Sequence, residues 1–429
     1  MLEQGDRRGT RVGSRRVDGR SKPQPSGGAS RSLRPPRLTQ SAPAARATPS
    51  YRLVAVAAAA HFSNDALGNV YPVLVPLMMG PLHMGLPVAA LVASAHRLTQ
   101  NLLQPAFGYL SDRGTALRTA LPAALCVGAV AAGLLPFAGA AWVLLALAVA
   151  AGLTGGAFHP PAMAWVRSLS GAQSGRGMAL FGMAGGLGRA TAPLILAALA
   201  VWAGQRSVSW LAGGALAVGI GYLVVLRRQP PAPAGKARTL PLGQLFAGRW
   251  GPTASLLAMT AAFNTVSGAV LILVPIAYRL EGQPLYLGAV VVSVMLLAGS
   301  FGNALGGTLS DLLPRDRVVI VAAAASALSL TGFVLTRGAP SVVFAALTGL
   351  FSMSTDAMSV VICQDLFPES VAMASGLSSG LGSAMAAAIV VALSLVAGAT
   401  SVTVALLVAA AVSLAAIPAV LPLRRLWTQ

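Results

Sequence analysis

A few ionisable side chains stand inside long apolar stretches of this chain, where they could transfer protons or bind charged molecules. Asp65 follows His61 by four residues, so the two share one face of a helix, and Asn64 stands beside them. Charged groups in apolar surroundings are costly, so such residues often mark functional sites. A carboxylate beside an imidazole can bind and release a proton, which predicts proton handling at this position.

A polar stripe follows in the next apolar stretch. Arg97, Gln100, Asn101 and Gln104 fall at positions i, i+3, i+4 and i+7, which places them along one side of a single helix. A guanidinium group binds phosphonate, phosphate or carboxylate through paired hydrogen bonds, so the stripe predicts a surface for an anion. Arg189 lies in another apolar stretch and could supply a second guanidinium group.

Asp65 and Arg97 share a depth if their helices are antiparallel. At 1.5 Å per residue, Asp65 lies ~20 Å from Arg52, and Arg97 lies ~22 Å from Asp112. An ion pair between them is geometrically possible, and it could serve transport or could only hold two helices together. In the transport interpretation, Asp65 holds a proton while an anion occupies Arg97 and loses it when Arg97 is free.

Two other charged positions have simpler alternatives. Arg189 could only neutralise Asp356 or a backbone carbonyl group. Asp356 stands beside Ser354, Thr355 and Ser359, so it could be a hydrogen-bonded packing residue instead of a transport residue. The sequence leaves both interpretations open.

Membrane-spanning helices are the elements that must position these side chains. The chain is 55% hydrophobic and 10% charged, with a mean hydropathy of +0.73, whereas soluble domains carry about 25% charged residues. From Tyr51 onward, apolar segments of roughly 20–27 residues recur, each long enough to cross a ~30 Å hydrocarbon core. The twelve predicted spans are 52–79, 86–109, 119–139, 141–165, 178–203, 207–226, 250–278, 285–309, 318–336, 341–366, 372–397 and 401–422.

Basic residues set the predicted orientation, with both termini in the cytoplasm and the protein in a bacterial inner membrane. Eleven Lys and Arg residues fall in the gaps on the side of the N-terminus, against three on the other side. The predicted organisation is a disordered basic tail (1–50), six helices (51–226), a proline-rich cytoplasmic linker (227–249), six helices (250–423) and a short tail (424–429).

An internal repeat relates the two sets of six helices. The string Gly-x-Leu-Ser-Asp begins at Gly108 after the second span and again at Gly307 after the eighth, 199 residues later. A Gly-Leu-Gly string begins at Gly186 in the fifth span and at Gly380 in the eleventh. Two parallel repeats with a binding site between them are typical of transporters.

The segment from Gly108 to Arg113 resembles the loop signature of the major facilitator superfamily. This resemblance implies an all-α fold of twelve transmembrane helices in two six-helix bundles related by pseudo-twofold symmetry. It also implies gating roles, in which Asp112 pairs with Arg113, and Asp311 pairs with Arg315 or Arg317. The alternative is that these residues are solvated turn residues.

A narrower resemblance is carried by five strings: His61–Asp65, Leu103–Tyr109, Gly156–Pro160, Gly185–Gly188 and Gln364–Pro368. They are similar in order and spacing to fosmidomycin-resistance exporters, which implies proton-driven efflux of small molecules. The string with His159 and Pro160 and the glycines Gly185, Gly186 and Gly188 form a helix 4–5 motif in this family. His159 could handle protons or could pack at a gate where its helix ends.

The chain departs from these exporters at four positions. Pro161 replaces an acidic residue, Leu187 replaces an expected Asn, and Arg97 and Arg189 stand where uncharged residues are usual. These departures bear on the substrate, because the two arginines would favour an anion.

Several function classes are excluded by what the sequence lacks. We expect no metal, no cofactor and no enzyme activity, because the chain has no HExxH string, no serine–lysine or paired-Asp site and no P-loop. Aromatic residues make up only 6%, so the basic residues do not predict nucleic-acid binding. A sensor would need an appended soluble domain.

The predicted function is therefore proton-coupled antiport, with efflux of a small and possibly anionic compound by a monomer in the lipid bilayer. The partners of this activity are a small-molecule substrate and protons as the coupling ion. The alternative on the same fold is an importer of a small metabolite or anion, because the residues alone do not decide the direction.

Overall fold

The computed structural model describes residues 50–112, 117–170, 174–228 and 246–424. Almost all of the predicted N-terminal tail, most of the predicted linker and Arg113 lie outside these residues. The described chain is all-helical, without a β-strand. The helices are α1 (Tyr51–Gly68 and Tyr71–Met79), α2 (Leu86–Asp112), α3 (Leu117–Leu134), α4 (Ala141–Ser170), α5 (Ser174–Ala203), α6 (Val208–Arg227), α7 (Trp250–Leu280), α8 (Leu285–Leu312), α9 (Arg315–Leu335), α10 (Ala339–Ser352 and Asp356–Leu366), α11 (Val371–Gly376, a π turn Leu377–Leu381 and Gly382–Ala399) and α12 (Val402–Ser413 and Ala416–Val420).

Each predicted span coincides with one of these helices, with differences of a few residues at the ends. Within the described residues, nine helices, α4 to α12, are long and apolar enough to cross a membrane by length and composition. The other three differ for identifiable reasons. α1 is in two pieces, the polar stripe lowers the hydropathy of α2, and α3 contributes a shorter apolar segment, Ala123–Phe137.

In two of the interrupted helices, α1 and α10, polar side chains bind backbone groups near the breaks. In α1, the Asn69 amide donates a hydrogen bond to the Asp65 carbonyl (2.8 Å). In α10, the Asn303 side-chain oxygen accepts one from the Ala357 N–H (2.9 Å), just after the break. Unpaired backbone groups within a bilayer are tolerated only where protein or a polar cavity satisfies them. The interruptions therefore indicate a polar cavity at this depth.

The first six helices and the last six pack in the same pattern. α2 packs on α4 as α8 packs on α10, α1 on α5 as α7 on α11, and α3 on α6 as α9 on α12. Between the halves, α2 packs on α11, and α5 packs on α8. Adding six to each helix number converts one set of contacts into the other, which is the pattern expected for the predicted pseudo-twofold arrangement.

The two ends of the bundle differ in how their apolar cores are shared. We call the end where α1 and α7 begin the linker end, and the opposite end the far end. Toward the far end, one continuous core includes α1 residues such as Leu74 and α7 residues such as Leu273. At the linker end, each half has its own core, one around Phe158 and one around Phe263. The halves therefore share an apolar core at the far end, whereas at the linker end each has its own core and they meet where α2 packs on the start of α11.

Ion pairs connect helix ends and turns at the linker end of the second half. Arg249 donates two hydrogen bonds to Glu369 (both 2.9 Å) from the start of α7 to the α10–α11 turn. Arg424 contacts Asp316 (2.9 Å). Arg315 Nη1 lies 3.6 Å from Asp365 Oδ2 at the end of α10.

The side chains of Asp112 and Asp311 are not among the described ones, so the predicted gating pairs stay predictions.

Candidate functional site

A cavity of about 330 Å³ lies between the two halves at mid-depth. Among the described residues it is lined by α1, α2, α4, α5, α7, α8, α10 and α11, whereas α3, α6, α9 and α12 contribute nothing. We call its α1–α6 side the N wall and its α7–α12 side the C wall. The predicted site residues that line it are His61, Asp65, Arg97, Gln100, Asn101, Gln104, His159, Arg189 and Asp356.

Asp65 is the centre of the N wall. Its carboxylate is 7% exposed, and three cationic or titratable groups surround it. His61 Nε2 lies 3.4 Å from Oδ2, His159 Nε2 lies 3.4 Å from Oδ1, and Arg189 Nε lies 3.5 Å from Oδ2. The local structure thus brings together residues from α1, α4 and α5 that are up to 128 positions apart, since α1 packs against both other helices.

The orientation of His61 is fixed by its other nitrogen. His61 Nδ1 lies 2.8 Å from the Phe181 carbonyl, and its ring stacks on the Phe181 ring with centroids 4.0 Å apart. A carbonyl oxygen only accepts, so Nδ1 must carry hydrogen and donate. In a neutral ring, Nε2 would then point a lone pair at the Asp65 carboxylate. The contact is favourable only if one more proton is shared by His61 and Asp65.

His159 stands beside this pair and not at the end of its helix. α4 continues through Pro160 and Pro161 to Ser170, so the alternative that His159 packs where the helix ends is wrong. The Asn64 amide nitrogen lies 3.2 Å from both His159 Nε2 and Asp65 Oδ1. The Gln100 amide nitrogen lies 2.9 Å from His159 Nε2, so the amides of α1 and α2 orient the imidazole.

The predicted ion pair between Asp65 and Arg97 is not formed. Asp65 contacts Arg189 instead, and within the described chain no carboxylate lies within 4 Å of Arg97. The depth calculated from the sequence placed both residues correctly at the level of the cavity. It could not predict which faces of the two helices are in contact. Arg189 and Asp356 likewise form no ion pair within 4 Å.

Both arginines keep donors for a ligand. Arg189 Nε is buried, and its 3.5 Å contact with Asp65 lacks hydrogen-bond geometry, so the Nη groups of Arg189 are the donors that a ligand in the cavity can meet. Arg97 lines the same cavity. An anion between them could therefore receive charge-assisted hydrogen bonds from both guanidinium groups.

The glycine motif of α5 lets this helix approach α1 closely. A methyl group at Gly185 would overlap the His61 ring, and one at Gly188 would overlap the Phe62 carbonyl. At Gly186 it would lie 2.9 Å from the Ser300 hydroxyl of α8. The glycines therefore place Arg189 and the Phe181 carbonyl against the His61–Asp65 pair. Pro160 lies within α4 beside His159 and does not line the cavity.

The C wall is polar but almost uncharged, and sequence reasoning missed most of it. Among the described residues, Asp356 is the one ionisable residue of this wall. No Lys, Arg or His that the structure describes lies within 4 Å of its carboxylate. The other polar residues are Thr260, Asn264, Ser267, Asn303, Ser359, Ser375, Ser378, Ser379 and Ser383. Small hydroxyl residues are common in membrane helices as packing contacts. Their types alone therefore gave no signal.

The two walls meet where the Ser379 Oγ lies 3.2 Å from the Gln104 side-chain oxygen. Ser379 lies in the π turn of α11. Such turns occur mainly at functional sites, and this local distortion was not visible in the apolar pattern of the sequence.

His61, Asp65 and His159 could also hold a metal ion, since their ligand atoms all lie within 4.8 Å of one another. The Arg189 charge next to Asp65 opposes a divalent cation there. The donor set therefore fits a proton better than a divalent metal ion.

Comparison with known proteins places this geometry in a family. Residues 55–344 match the model of the Major Facilitator Superfamily. The chain is 26% identical over 358 residues to the uncharacterized MFS-type transporter YfnC of Bacillus subtilis (strain 168), covering 77% of this chain and 83% of the relative. The similarity to fosmidomycin-resistance exporters is not part of these matches.

Solved structures share the fold at low sequence identity. The nucleoside transporter NupG (D323A mutant) matches with a TM-score of 0.67 and 12% identity, over 86% of this chain and 98% of that one. An auto inhibited POT family peptide transporter matches with a TM-score of 0.66 and 12% identity, over 87% and 97%. With its helical spans and central polar cavity, the chain is a multi-pass membrane protein and a secondary transporter, not an enzyme, and it belongs to the Major Facilitator Superfamily.

Proposed function

We propose that this transporter couples the movement of a small anionic compound to protons, by alternating access in a bacterial inner membrane with both termini cytoplasmic. The observation that carries the proposal is the Asp65 carboxylate, which faces two imidazoles and a guanidinium at the cavity wall. A buried group that needs a shared proton for a favourable contact is suited to bind and release one during transport.

Arg189 supports a link between proton and substrate. Its guanidinium touches Asp65 and also lines the cavity, so a bound anion would compete with Asp65 for it. An anion that withdraws Arg189 from Asp65 favours the protonated carboxyl group. This linkage makes proton and anion bind together, which favours the alternative function, symport with import.

Antiport, the function implied by the resemblance to fosmidomycin-resistance exporters, needs the opposite linkage. Substrate and proton must then compete for one group. Asp356 can supply this competition, because it lines the cavity without an ion pair to any described residue. A hydrogen-bond donor on the substrate would bind the same carboxylate as the proton. We retain efflux by antiport as the first form of the proposal and import by symport as the second.

The test is accumulation of fosmidomycin and 3-aminopropylphosphonate in bacterial cells with and without the protein, repeated with a protonophore. Lower accumulation in cells with the protein indicates efflux, and higher accumulation indicates import. In either form, the protonophore abolishes the difference. A difference that persists with the protonophore contradicts proton coupling, and the absence of any difference contradicts small phosphonates as the substrate class.

A further inference from the structure

Most hydroxyl groups of the C wall already donate their hydrogens to backbone carbonyls. Thr260 donates to the Leu256 carbonyl (2.9 Å), and Ser359 donates to the Thr355 carbonyl (2.8 Å). In α11, two further hydroxyls donate to carbonyls one turn back, Ser375 to Val371 (2.8 Å) and Ser379 to Ser375 (2.6 Å). A hydroxyl has one hydrogen and two lone pairs, so these four groups offer a ligand acceptors only.

The remaining polar groups of the C wall extend this pattern. The Asn264 amide nitrogen donates to the Thr260 carbonyl (3.0 Å), which leaves the Asn264 oxygen as an acceptor and one N–H as a donor. Asp356 adds a carboxylate, again an acceptor when ionised. The other donors of this wall are the NH₂ group of Asn303, whose oxygen accepts from the Ala357 N–H, and the hydroxyls of Ser378 and Ser383, which donate to no described residue.

The N wall has the opposite character on the side of the arginines. Arg97 and Arg189 carry only donors and positive charge. A ligand that fills the cavity between the walls thus meets cationic donors on one side and mainly acceptors on the other. The volume of about 330 Å³ is at the lower end of ligand pockets, so a single small molecule would contact both walls.

We infer that the substrate is a small hydrophilic compound with an anionic group for Arg97 and Arg189 and a hydrogen-bond donor, hydroxyl or ammonium, for the C wall. This inference rests on the proposed function and narrows its substrate class. An anion whose other end is purely apolar, or carries only ether oxygens, would leave the acceptors of the C wall desolvated and unpaired.

The experiment compares four matched phosphonates on the purified full-length protein in nanodiscs by isothermal titration calorimetry. 3-Aminopropylphosphonate and 3-hydroxypropylphosphonate carry a donor, whereas propylphosphonate and 3-methoxypropylphosphonate do not. We expect at least one donor compound to bind about tenfold or more tightly than both compounds without a donor, which corresponds to about one good hydrogen bond.

Two variants then locate the donor, and a third controls for helix packing. Asp356→Asn should lower the affinity for 3-aminopropylphosphonate about tenfold and the affinity for 3-hydroxypropylphosphonate less, because only the ammonium group carries charge. Ser359→Ala should lower the affinity for whichever of the two donor compounds binds more tightly to the wild type. Ser394→Ala is the matched control. The Ser394 hydroxyl likewise donates within its helix (2.6 Å to the Val391 carbonyl) but lies outside the cavity. The Ser394→Ala variant should therefore bind all four phosphonates with the affinities of the wild type.

Equal affinity of propylphosphonate and both donor compounds would overturn the inference while leaving an anionic substrate intact. Binding of none of the four would overturn the anionic substrate and the inference with it. Because the measurement is of binding without a proton gradient, a failure of proton coupling in cells would not change its result.

Discussion

The two walls of the cavity come from halves that pack in the same pattern, yet their chemistry differs. The N wall holds Asp65, two imidazoles and two arginines, whereas the C wall holds neutral polar groups around Asp356. The C-terminal half carries its paired charges at the linker end instead, as between Arg249 and Glu369. The difference teaches that the repeated scaffold fixes where side chains meet but not which ones. We expect proton binding at Asp65 and anion binding to depend on the N wall, and recognition of the donor group of the substrate to depend on the C wall.

The largest effect should come from removing the charge at the centre of the N wall. Asp65→Asn keeps the shape of the carboxyl group but loses its proton chemistry and its contact with Arg189. We expect concentrative transport of 3-aminopropylphosphonate to fall to the level of cells without the protein. Asp316→Asn, at the ion pair with Arg424, is the matched control. Uphill transport at the normal rate by Asp65→Asn would show that the proton is bound elsewhere.

Removing either cavity arginine should weaken binding of the anionic group of the substrate and leave binding of its donor group unchanged. Arg97→Gln or Arg189→Gln loses charge-assisted hydrogen bonds of about 1.5–3 kcal/mol, a loss of roughly 10–100-fold in propylphosphonate affinity. Calorimetry in nanodiscs measures this loss. Arg206→Gln is the control, since Arg206 lies over the Phe137 ring away from the cavity. Unchanged affinity for propylphosphonate in both variants would mean that the anionic group does not bind to the N wall.

A methyl group behind His61 should disturb the N wall without touching its charges. Gly185→Ala would overlap the His61 ring, whereas Gly182→Ala on the same helix meets nothing within 4 Å. A displacement of about 1 Å can lower a rate by roughly 100-fold, so Gly185→Ala should reduce proton-driven transport well below Gly182→Ala. Equal transport by the two variants would mean that the position of His61 is not critical.

The smallest effect should come from the paired charges of the C-terminal half at the linker end. Hydrogen bonds from Arg249 hold the pKa of Glu369 below its ordinary value of 4.5. A lowered carboxyl pKa stabilises the fold above the ordinary value, and this stabilisation is lost as the pH falls through the lower folded value. Glu369→Gln should therefore cost about 1 kcal/mol or less at pH 7 and nothing in strong acid.

Thermal unfolding of Glu369→Gln at pH 7 and in acid measures this difference, with the exposed Glu281→Gln as the control. Transport of 3-aminopropylphosphonate should stay close to wild type, because the pair lies outside the cavity. A loss of proton coupling in Glu369→Gln would mean that the linker end takes part in the mechanism, and the comparison of the walls would have to be redrawn.

The helices and the depth of the charged residues follow from the amino-acid sequence. Long apolar runs cannot be soluble and must be helical in a bilayer, so the spans from 52–79 to 401–422 were predicted closely. The charged positions Asp65, Arg97, Arg189 and Asp356 stood out because charge is costly in such runs.

Only the tertiary structure decided which of these charges meet. Position along a helix gives depth, but the rotation and packing of neighbouring helices decide contact, and α5 approaches α1 closely through Gly185 and Gly188. Arg189, not Arg97, therefore reaches Asp65. The acceptor surface of the C wall also appeared only in three dimensions. A serine shows which way its hydrogen points only when its hydrogen-bond partner is known.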